Sequence, residues 1–270
     1  MSKAIKRTKP ELVSAIKNVQ GFLKDGEAYF LYERALELRT GSIIVEIGSY
    51  CGKSTICIAL GLIDSRNINT RIYAIDPFGG SSEHGSIDTF PSFQKNIKEA
   101  GVEAFIIPMK CSSEEANKKW DITRNIDFLW IDGGHEYEYL ATDIDLWLKL
   151  VTDNGWIAVH DTSGRFHYSG AVGVRRAMRE IFFARECLKD YSFANSITCA
   201  RKSHSITQKE AWERYKAYLS WWVGEVKLYK KTNGLGIISF FASIVLRYFK
   251  RIPKFIRKPW VLFMNESARW

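Results

Sequence analysis

Short apolar segments alternate with helical segments along most of this chain, and no other feature constrains its fold as strongly. The predicted strands are Ile43–Ile47, Ile72–Ile75, Ala104–Pro108, Ile126–Ile131 and Trp156–Val159, followed by a strand pair within Tyr191–Ala200. The predicted helices are Ser54–Leu62, Phe90–Ala100, Ser113–Trp120, Tyr137–Leu150 and Val172–Phe183. This alternation predicts an α/β fold with a doubly wound, mostly parallel sheet and helices on both faces.

Helices are also predicted on either side of this alternating region. Residues 10–38 carry apolar side chains at helical spacing, and another long helix is predicted from Thr207 onward. We therefore divide the chain into N-terminal helices over 1–40, the sheet domain over 41–203 and a C-terminal helical extension over 204–270.

Positive charge is concentrated in the C-terminal extension. The chain has 39 Lys and Arg against 30 Asp and Glu, a net charge of +9. Residues 201–270 hold 15 Lys and Arg and four Asp and Glu, so residues 1–200 carry a net charge of −2. A basic, aromatic extension on a nearly neutral body is typical of an interaction segment. A nucleic-acid enzyme is more often basic around its site, so nucleic acid is an unlikely partner.

The extension contains the apolar run Leu235–Leu246 followed by interleaved basic and aromatic residues. This pattern favours peripheral binding to a membrane surface through residues 233–263, with a buried helix and a solvated tail as the alternative. The apolar stripe from Trp212 to Tyr229 predicts packing against the body or against a second copy, which would make a homodimer.

Composition narrows the compartment and the class of protein. Apolar residues make up 46% and charged residues 26% of the chain, which excludes wholesale disorder and fibrous classes. The five cysteines are odd in number and none forms a CxxC pair, so we expect a reducing compartment. The basic N-terminus is not followed by an apolar stretch, and no apolar run reaches spanning length. These features predict a cytoplasmic protein, peripheral on the inner face of the membrane.

The turn after the first predicted strand has the composition of a ligand-binding turn. Glu46 lies at the strand end, Gly48 and Gly52 follow, and a helix begins near Lys53. Such glycines let the backbone approach a ligand, although a tight turn without a ligand is the alternative. Gly-Lys-Ser-Thr is also found in phosphate-binding loops. Here three residues rather than four separate the glycines, which argues against nucleotide hydrolysis.

Acids and histidines follow other strands that end at the same edge of the predicted sheet. Asp76 follows the second strand, where a carboxylate can accept ribose hydroxyls or simply cap the next turn. Asp132 and His135 follow the fourth strand, and His160 and Asp161 the fifth. The oxygen ligands suit a hard cation such as Mg²⁺, and a histidine suits a general base.

These motifs together resemble the class I S-adenosylmethionine-dependent methyltransferases. Within that class the chain is most similar to the subgroup of macrolide-sugar O-methyltransferases and cephalosporin-hydroxylase-like proteins, over roughly residues 30–200. The resemblance is carried by Glu46-Ile-Gly48, Gly52-Lys-Ser-Thr55, Asp76-Pro77, Ile131-Asp-Gly-Gly-His135 and His160-Asp161. It implies a seven-stranded Rossmann-like sheet whose last strand is antiparallel.

The resemblance also implies a set of contacts to S-adenosylmethionine. Glu46, Gly48 and Gly52 would line the methionine part, and Asp76 would hold the ribose. The remaining expected cofactor contacts are Tyr50, Ser54, Ser112 and Asp132. Ser112 is also a good helix N-cap, which would explain it without any cofactor.

In metal-dependent relatives, acids at these strand ends bind Mg²⁺ and the histidine deprotonates a sugar hydroxyl. The resemblance therefore implies Asp132 and His135 as catalytic residues, with Asp132 and Asp161 as metal ligands. His160 occupies a position where such relatives often have a further oxygen ligand. A histidine ligand suits Mn²⁺ or Zn²⁺ better than Mg²⁺, so the need for a divalent metal is an open question.

The expected function is transfer of a methyl group to a hydroxyl, with a sugar in a glycan or glycolipid precursor as the acceptor in polysaccharide biosynthesis. The sugar follows from the resemblance, and the lipid follows from the C-terminal extension. Arg165, His167 and Tyr168 are candidate acceptor contacts, with a solvated loop as the alternative. Two other functions stay open: the same fold acting on a small metabolite or lipid, and a non-catalytic binding module.

Overall fold

The fold is built around one seven-stranded sheet. The computed structural model describes residues 6–67, 69–80, 85–162 and 169–233. The strands are β1 (Ile43–Ile47), β2 (Arg71–Ile75), β3 (Ile106–Met109), β4 (Ile126–Ile131), β5 (Val151–Val159), β6 (Leu188–Ala194) and β7 (Ile197–Lys202). Their order is β3-β2-β1-β4-β5-β7-β6. The first five strands are parallel, and β7 is antiparallel to both neighbours, which confirms the predicted fold class.

Helices cover both faces of this sheet. They are α1 (Lys9–Ile16), α2 (Asp25–Leu36), α3 (Lys53–Asp64), α4 (Phe90–Glu99), α5 (Ser113–Lys119), α6 (Tyr137–Trp147), α7 (Ser169–Ala177) and α8 (Gln208–Asn233). Helices α1 to α4 bury apolar side chains in one core cluster, and α5 to α8 do so in a second cluster on the opposite face. The N-terminal helices therefore share a core with the sheet.

Among the element boundaries that differ from the predictions, three have a local reason. Strand β5 begins at Val151 rather than Trp156, because Val151 pairs with Ile126 before the chain leaves the ladder and rejoins it at Trp156. A 3₁₀ turn over Glu103–Phe105 delays the start of β3. Helix α7 passes into a π-helical turn over Met178–Phe182 instead of continuing as a regular helix.

The C-terminal helix packs against the body over its described side chains. Tyr215 and Trp221 are buried, and the indole Nε1 of Trp221 donates a hydrogen bond to the Thr162 carbonyl at 2.9 Å. Trp212, the first residue of the predicted stripe, is instead 47% exposed. The apolar run Leu235–Leu246 and the basic residues after it lie outside the described residues. Within the described part of the chain, no helix has the length and hydrophobicity to cross a bilayer.

The turn after β1 lies against the end of β4, and Gly48 makes this approach possible. Asp132 N–H donates to the Ile47 carbonyl at 2.8 Å, which continues the parallel ladder past the strands. A Cβ on Gly48 would lie 2.2 Å from the Asp132 carbonyl oxygen, and Gly48 has a φ of +86°. Close approach and the left-handed backbone therefore both require glycine here.

We expect Gly48→Ala to lower the free energy of unfolding by about 3 kcal/mol or more, since it adds backbone overlap to left-handed strain. Gly41→Ala is the matched control. Gly41 has a φ of +83°, but its Cβ would meet no atom within 4 Å. The control should lose about 1 kcal/mol. Urea unfolding followed by circular dichroism measures both changes, and equal losses would contradict the role of the close approach.

Candidate active site

A cavity of about 850 Å³ opens at the carboxyl edge of β1, β2, β4 and β5. Its walls come from the turn after β1, the loops after β2 and β4, the start of α5 and the end of β5. The connection between α1 and α2 supplies a further wall through residues 20–23. Ligands of open α/β sheets bind in this position, outside the carboxyl ends of the strands.

Most of the predicted site residues line this cavity. They are Gly48, Tyr50, Ser54, Asp76, Ser112, Asp132, His135, His160 and Asp161. Glu46 and Gly52 were predicted with them but are absent from the cavity wall. Gly52 is the N-cap of α3 with a φ of +86°, and a Cβ there would lie 3.1 Å from the ring of Phe93. Its glycine is therefore explained by the turn and by packing.

Glu46 points away from the cavity, into the layer between the sheet and α3. It is fully buried, and its carboxylate accepts hydrogen bonds from the hydroxyls of Ser49, Ser54 and Thr55. Burial raises the pKa of Glu46 from 4.5 to about 7, although these three hydrogen bonds oppose the shift. The arrangement gives Glu46 a structural part in holding the turn, and its direct contact with the methionine part stays a prediction.

Asp76 holds the same turn from the other side. One carboxylate oxygen accepts the backbone N–H groups of Ser49 and Tyr50 at 2.9 and 2.8 Å, and the other accepts Phe78 N–H at 2.6 Å. The predicted turn cap is therefore present. The ribose interpretation is compatible with it, because Asp76 also lines the cavity and a carboxylate oxygen can accept more than one hydrogen bond.

Two residues that the sequence did not indicate cover the turn after β1. Gln20 donates its side-chain amide to the Tyr50 hydroxyl at 2.8 Å, and the ring of Phe22 lies 5.9 Å from that of Tyr50. Phe22 is 65% exposed although it lines the cavity. The local sequence around Gln20 does not indicate that this residue belongs to the site, because its contact joins residues 30 positions apart.

The far wall is formed by α5 and α6. Ser112 caps α5, as predicted, and accepts the Glu115 N–H at 3.2 Å while it lines the cavity. Asp143 was not predicted. It is buried on α6 and accepts a short hydrogen bond from the Ser113 hydroxyl, and burial raises its pKa to about 6. A polar edge made of hydroxyls and one buried acid therefore faces the cavity.

Asp132 and His160 form a buried ion pair at the end of β4 and β5. The Nδ1 atom of His160 lies 2.8 Å from Asp132 Oδ1, and its Nε2 atom lies 3.2 Å from Oε2 of Glu27 on α2. Burial lowers the pKa of His160, but Asp132 and the other nearby carboxylates outweigh burial and raise this pKa well above its usual value. The pKa of Asp132 is raised, because burial outweighs the nearby positive charge.

His135 lies beside Asp161. The distance from His135 Nε2 to Asp161 Oδ2 is 3.3 Å, and the two side chains are 17% and 10% exposed. The pKa of Asp161 is lowered, because its hydrogen bonds to His135 and His160 outweigh burial. Asp161 has a φ of +50°, a strained backbone conformation that is often found at functional sites.

One group of ligand atoms fits a metal among the described residues. Asp132, His135 and Asp161 can each offer one atom, and these atoms lie within 4.8 Å of one another. His160 is not in this group. Both of its ring nitrogens face carboxylates, so this histidine is an ion-pair partner here, and its place among the metal ligands stays a prediction.

Helix α7 fixes the loop that carries His135. A Cβ on Gly173 would lie 2.5 Å from the His135 carbonyl oxygen, so the helix and loop backbones are in direct contact. The Arg176 guanidinium lies 4.1 Å from the centre of the Tyr137 ring. The predicted acceptor contacts Arg165, His167 and Tyr168, which precede this helix, lie outside the described residues.

Comparison with known proteins shows what the part of the chain around this cavity is similar to. A family model described as a methyltransferase domain matches residues 45–162. This stretch runs from β1 to the residue after Asp161, and it includes every strand end around the cavity.

Solved structures share the fold. The O-methyltransferase from Bacillus cereus, in complex with SAH, is 18% identical with a TM-score of 0.50, over 72% of this chain and 90% of that chain. A second structure is that of TomG from Streptomyces achromogenes, an O-methyltransferase involved in tomaymycin synthesis, in complex with SAM. It is 18% identical with a TM-score of 0.52, over 74% of this chain and 92% of that chain. Cofactor-bound Rv0187 from MTB is 16% identical with a TM-score of 0.54, over 73% of this chain and 91% of that chain.

The raised pKa of Glu46 predicts that the stability of the protein depends on pH. Between pH 4.5 and 7 the folded chain keeps a proton that the unfolded chain releases, so rising pH favours unfolding. The free energy of unfolding of the wild type should therefore fall relative to Glu46→Gln by about 3 kcal/mol across this window. Urea unfolding at pH 5, 6, 7 and 8 measures the difference. A difference that does not change with pH would contradict a raised pKa for Glu46.

Proposed function

Residues 45–162 form a class I S-adenosylmethionine-dependent methyltransferase domain, and from this premise we propose that the chain methylates a hydroxyl oxygen of its acceptor. One observation carries the proposal. A single cavity contains the turn held by Asp76 and also the cluster of Asp132, His135 and Asp161. The first part suits an adenosine, and the second suits the activation of a hydroxyl.

We propose that S-adenosylmethionine lies along the turn after β1. The ribose hydroxyls would bind Asp76, and the adenine would face the polar edge of Ser112 and Ser113. Gly48, Tyr50 and Ser54 would contact the methionine part, because they line the wall between Asp76 and Asp132. Glu46 would support this part indirectly, through its hydrogen bonds to Ser49 and Ser54.

The chemistry that the cofactor supplies is an electrophilic methyl group on a positively charged sulfur. The protein must hold the acceptor oxygen in line with that group, which converts an encounter into an oriented reaction. The imidazole of His135 would accept the hydroxyl proton as the acceptor oxygen takes up the methyl group. Asp161, 3.3 Å from His135 Nε2, would stabilise the charged imidazole that results.

A divalent cation such as Mg²⁺ or Mn²⁺ would be held by Asp132 and Asp161, with His135 as the further ligand atom in reach. Such a cation would lower the proton affinity of an acceptor hydroxyl. His160 already lies between the same two carboxylates, at 2.8 and 3.4 Å, and its pKa is raised. Part of the negative charge is therefore neutralised by the protein itself, and no step proposed here depends on a metal.

For the acceptor we propose a sugar hydroxyl of a glycan or glycolipid precursor. Support comes from the resemblance of the motifs and from the exposed aromatic residues Phe22 and Tyr139, which line the cavity and can contact a sugar ring. A small metabolite or lipid acceptor, and a non-catalytic binding module, are the alternatives. A transfer assay with labelled S-adenosylmethionine and a panel of sugar nucleotides, small phenols and lipids distinguishes them.

We expect His135→Ala to reduce kcat at least about 100-fold, because the acceptor hydroxyl loses its base. Binding of S-adenosylmethionine should stay within twofold of the wild type, as measured by calorimetry with Mg²⁺ and with EDTA. His204→Ala is the matched control, since His204 is exposed and does not line the cavity.

Unchanged turnover in His135→Ala would remove this residue from the mechanism. No binding of S-adenosylmethionine by the wild type, in either condition, would overturn the methyltransferase proposal. Turnover that stops with EDTA and returns with Mg²⁺ or Mn²⁺ would assign a metal to Asp132 and Asp161.

We also propose that residues 233–263 hold the protein at the cytoplasmic face of a membrane. The support is the sequence alone, where an apolar run precedes closely spaced basic and aromatic residues. The full chain should sediment with phosphatidylglycerol vesicles, and a chain without residues 233–270 should stay in solution while it still binds S-adenosylmethionine. Pure phosphatidylcholine vesicles are the control. Sedimentation of the shortened chain would show that the extension is not the anchor.

A further inference from the structure

We propose that Glu27, on α2, is a positioning residue of the active site. It orients the His160 imidazole, and through His160 it orients the carboxylate of Asp132 in the cavity. Glu27 lies outside the matched region 45–162 and 133 positions before His160. The catalytic consequence rests on the methyltransferase function proposed above, whereas the geometric part can be tested without turnover.

Glu27 is a buried carboxylate with contacts on both oxygens. It is 1% exposed. Its Oε1 atom accepts the backbone N–H and the hydroxyl of Ser196, at 3.0 and 2.7 Å. Its Oε2 atom accepts Lys24 N–H at 2.8 Å and lies 3.2 Å from His160 Nε2. Because Ser196 and Lys24 hold this carboxylate through three hydrogen bonds, it presents a fixed oxygen to His160.

His160 is held in turn by three acids: Glu27 at Nε2, and Asp132 and, at 3.4 Å, Asp161 at Nδ1. It is 6% exposed, and its ring lies 5.6 Å from the ring of Trp130. With Nε2 directed at Glu27, the opposite nitrogen Nδ1 is directed at Asp132 Oδ1, at 2.8 Å. A rigid five-membered ring transmits orientation from one nitrogen to the other. Outer partners that orient a functional side chain in this way are a common feature of active sites.

A helix cap alone does not account for this geometry. Glu27 is the third residue of α2 and closes a capping box with Lys24. Glu11 occupies the equivalent position of α1 and closes the same kind of box with Thr8, yet Glu11 is exposed. Capping therefore does not require burial. The burial of Glu27 is explained by its contacts with His160 and Ser196.

Asp132 and His160 both line the cavity, and Asp132 is the more exposed of the two. The Asp132 side chain is 22% exposed, whereas the side chains of His160 and Glu27 are 5% and 1% exposed. Loss of the Glu27 contact would let the His160 ring turn, and Asp132 Oδ1 would lose its fixed donor. The expected effect is on the reacting end of the cavity, at a distance from the turn that Asp76 holds.

The test compares Glu27→Gln with Glu11→Gln, which changes the same position of the neighbouring cap. The first measurement is the imidazole N–H spectrum of the full chain labelled with ¹⁵N-histidine, with and without S-adenosylhomocysteine. Signals from His160 are assigned by their loss in His160→Gln. The second measurement is steady-state turnover with the acceptor identified in the transfer assay.

In Glu27→Gln we expect the His160 Nε2–H signal to be lost and the Nδ1–H signal to shift or broaden. The dissociation constant for S-adenosylhomocysteine should stay within twofold, while kcat falls about 10- to 100-fold with little change in KM for S-adenosylmethionine. Glu11→Gln should leave all of these values as in the wild type.

An unchanged Nδ1–H signal in Glu27→Gln would overturn the proposal, and so would an unchanged kcat. If the Nδ1–H signal changes but the wild type transfers no methyl group to any acceptor, the proposed function fails while the positioning of Asp132 stands. A folding defect in Glu27→Gln appears as a lowered Tm. Glu27→Asp then serves as the second variant, since its shorter side chain keeps the charge but withdraws it from His160.

Discussion

The buried carboxylate of Glu46 is the contact on which the cavity depends. It joins the end of β1 to the first turn of α3 through Ser54 and Thr55, and it joins the intervening turn through Ser49. Strand β1 lies in the middle of the sheet, paired with β2 and β4, so its end fixes the level of the neighbouring strand ends. Asp76 completes the arrangement by binding two amides of the same turn. Two acids, one on each side, thus hold a turn that offers its remaining groups to a ligand.

The end of the cavity at β4 and β5 is an arrangement of alternating charges. Glu27, His160 and Asp132 follow one another in contact, and Asp161 lies near both His160 and His135. Burial raises the pKa of Glu27, but the hydrogen bond and charge of His160 outweigh it and lower this pKa to about 2. Charges that are buried and paired hold their geometry firmly, because an unpaired buried charge is costly. The acceptor would therefore meet groups that are already oriented.

Much of the fold was predictable because its signals are local. Strand and helix periods are readable over short windows, and parallel strands bring their ends together wherever they lie in the sequence. The direction of Glu46 was also available from the same rule. Successive strand residues alternate between faces, so Glu46 shares a face with Ile44, which packs under α3, and not with Ile47 on the cavity wall.

Other features had no local signal. The contacts of Gln20 with Tyr50, and of Glu27 with His160, join segments whose separation in sequence says nothing of their distance in space. Asp143 is likewise one acid on an amphipathic helix until α5 is packed beside it. Such residues become recognisable only once the tertiary arrangement of the helices is known.

The placement of α2 has a consequence for the modularity of this protein. Ala28, Leu31, Tyr32 and Ala35 of that helix belong to the same core cluster as α3, and its Glu27 meets the turn between β6 and β7. A fragment beginning at β1 would expose the apolar face of α3 that packs against α2. It would also leave His160 without its contact to Glu27. The sheet and its N-terminal helices therefore form one structural unit, and a graft or a domain fusion would have to carry both.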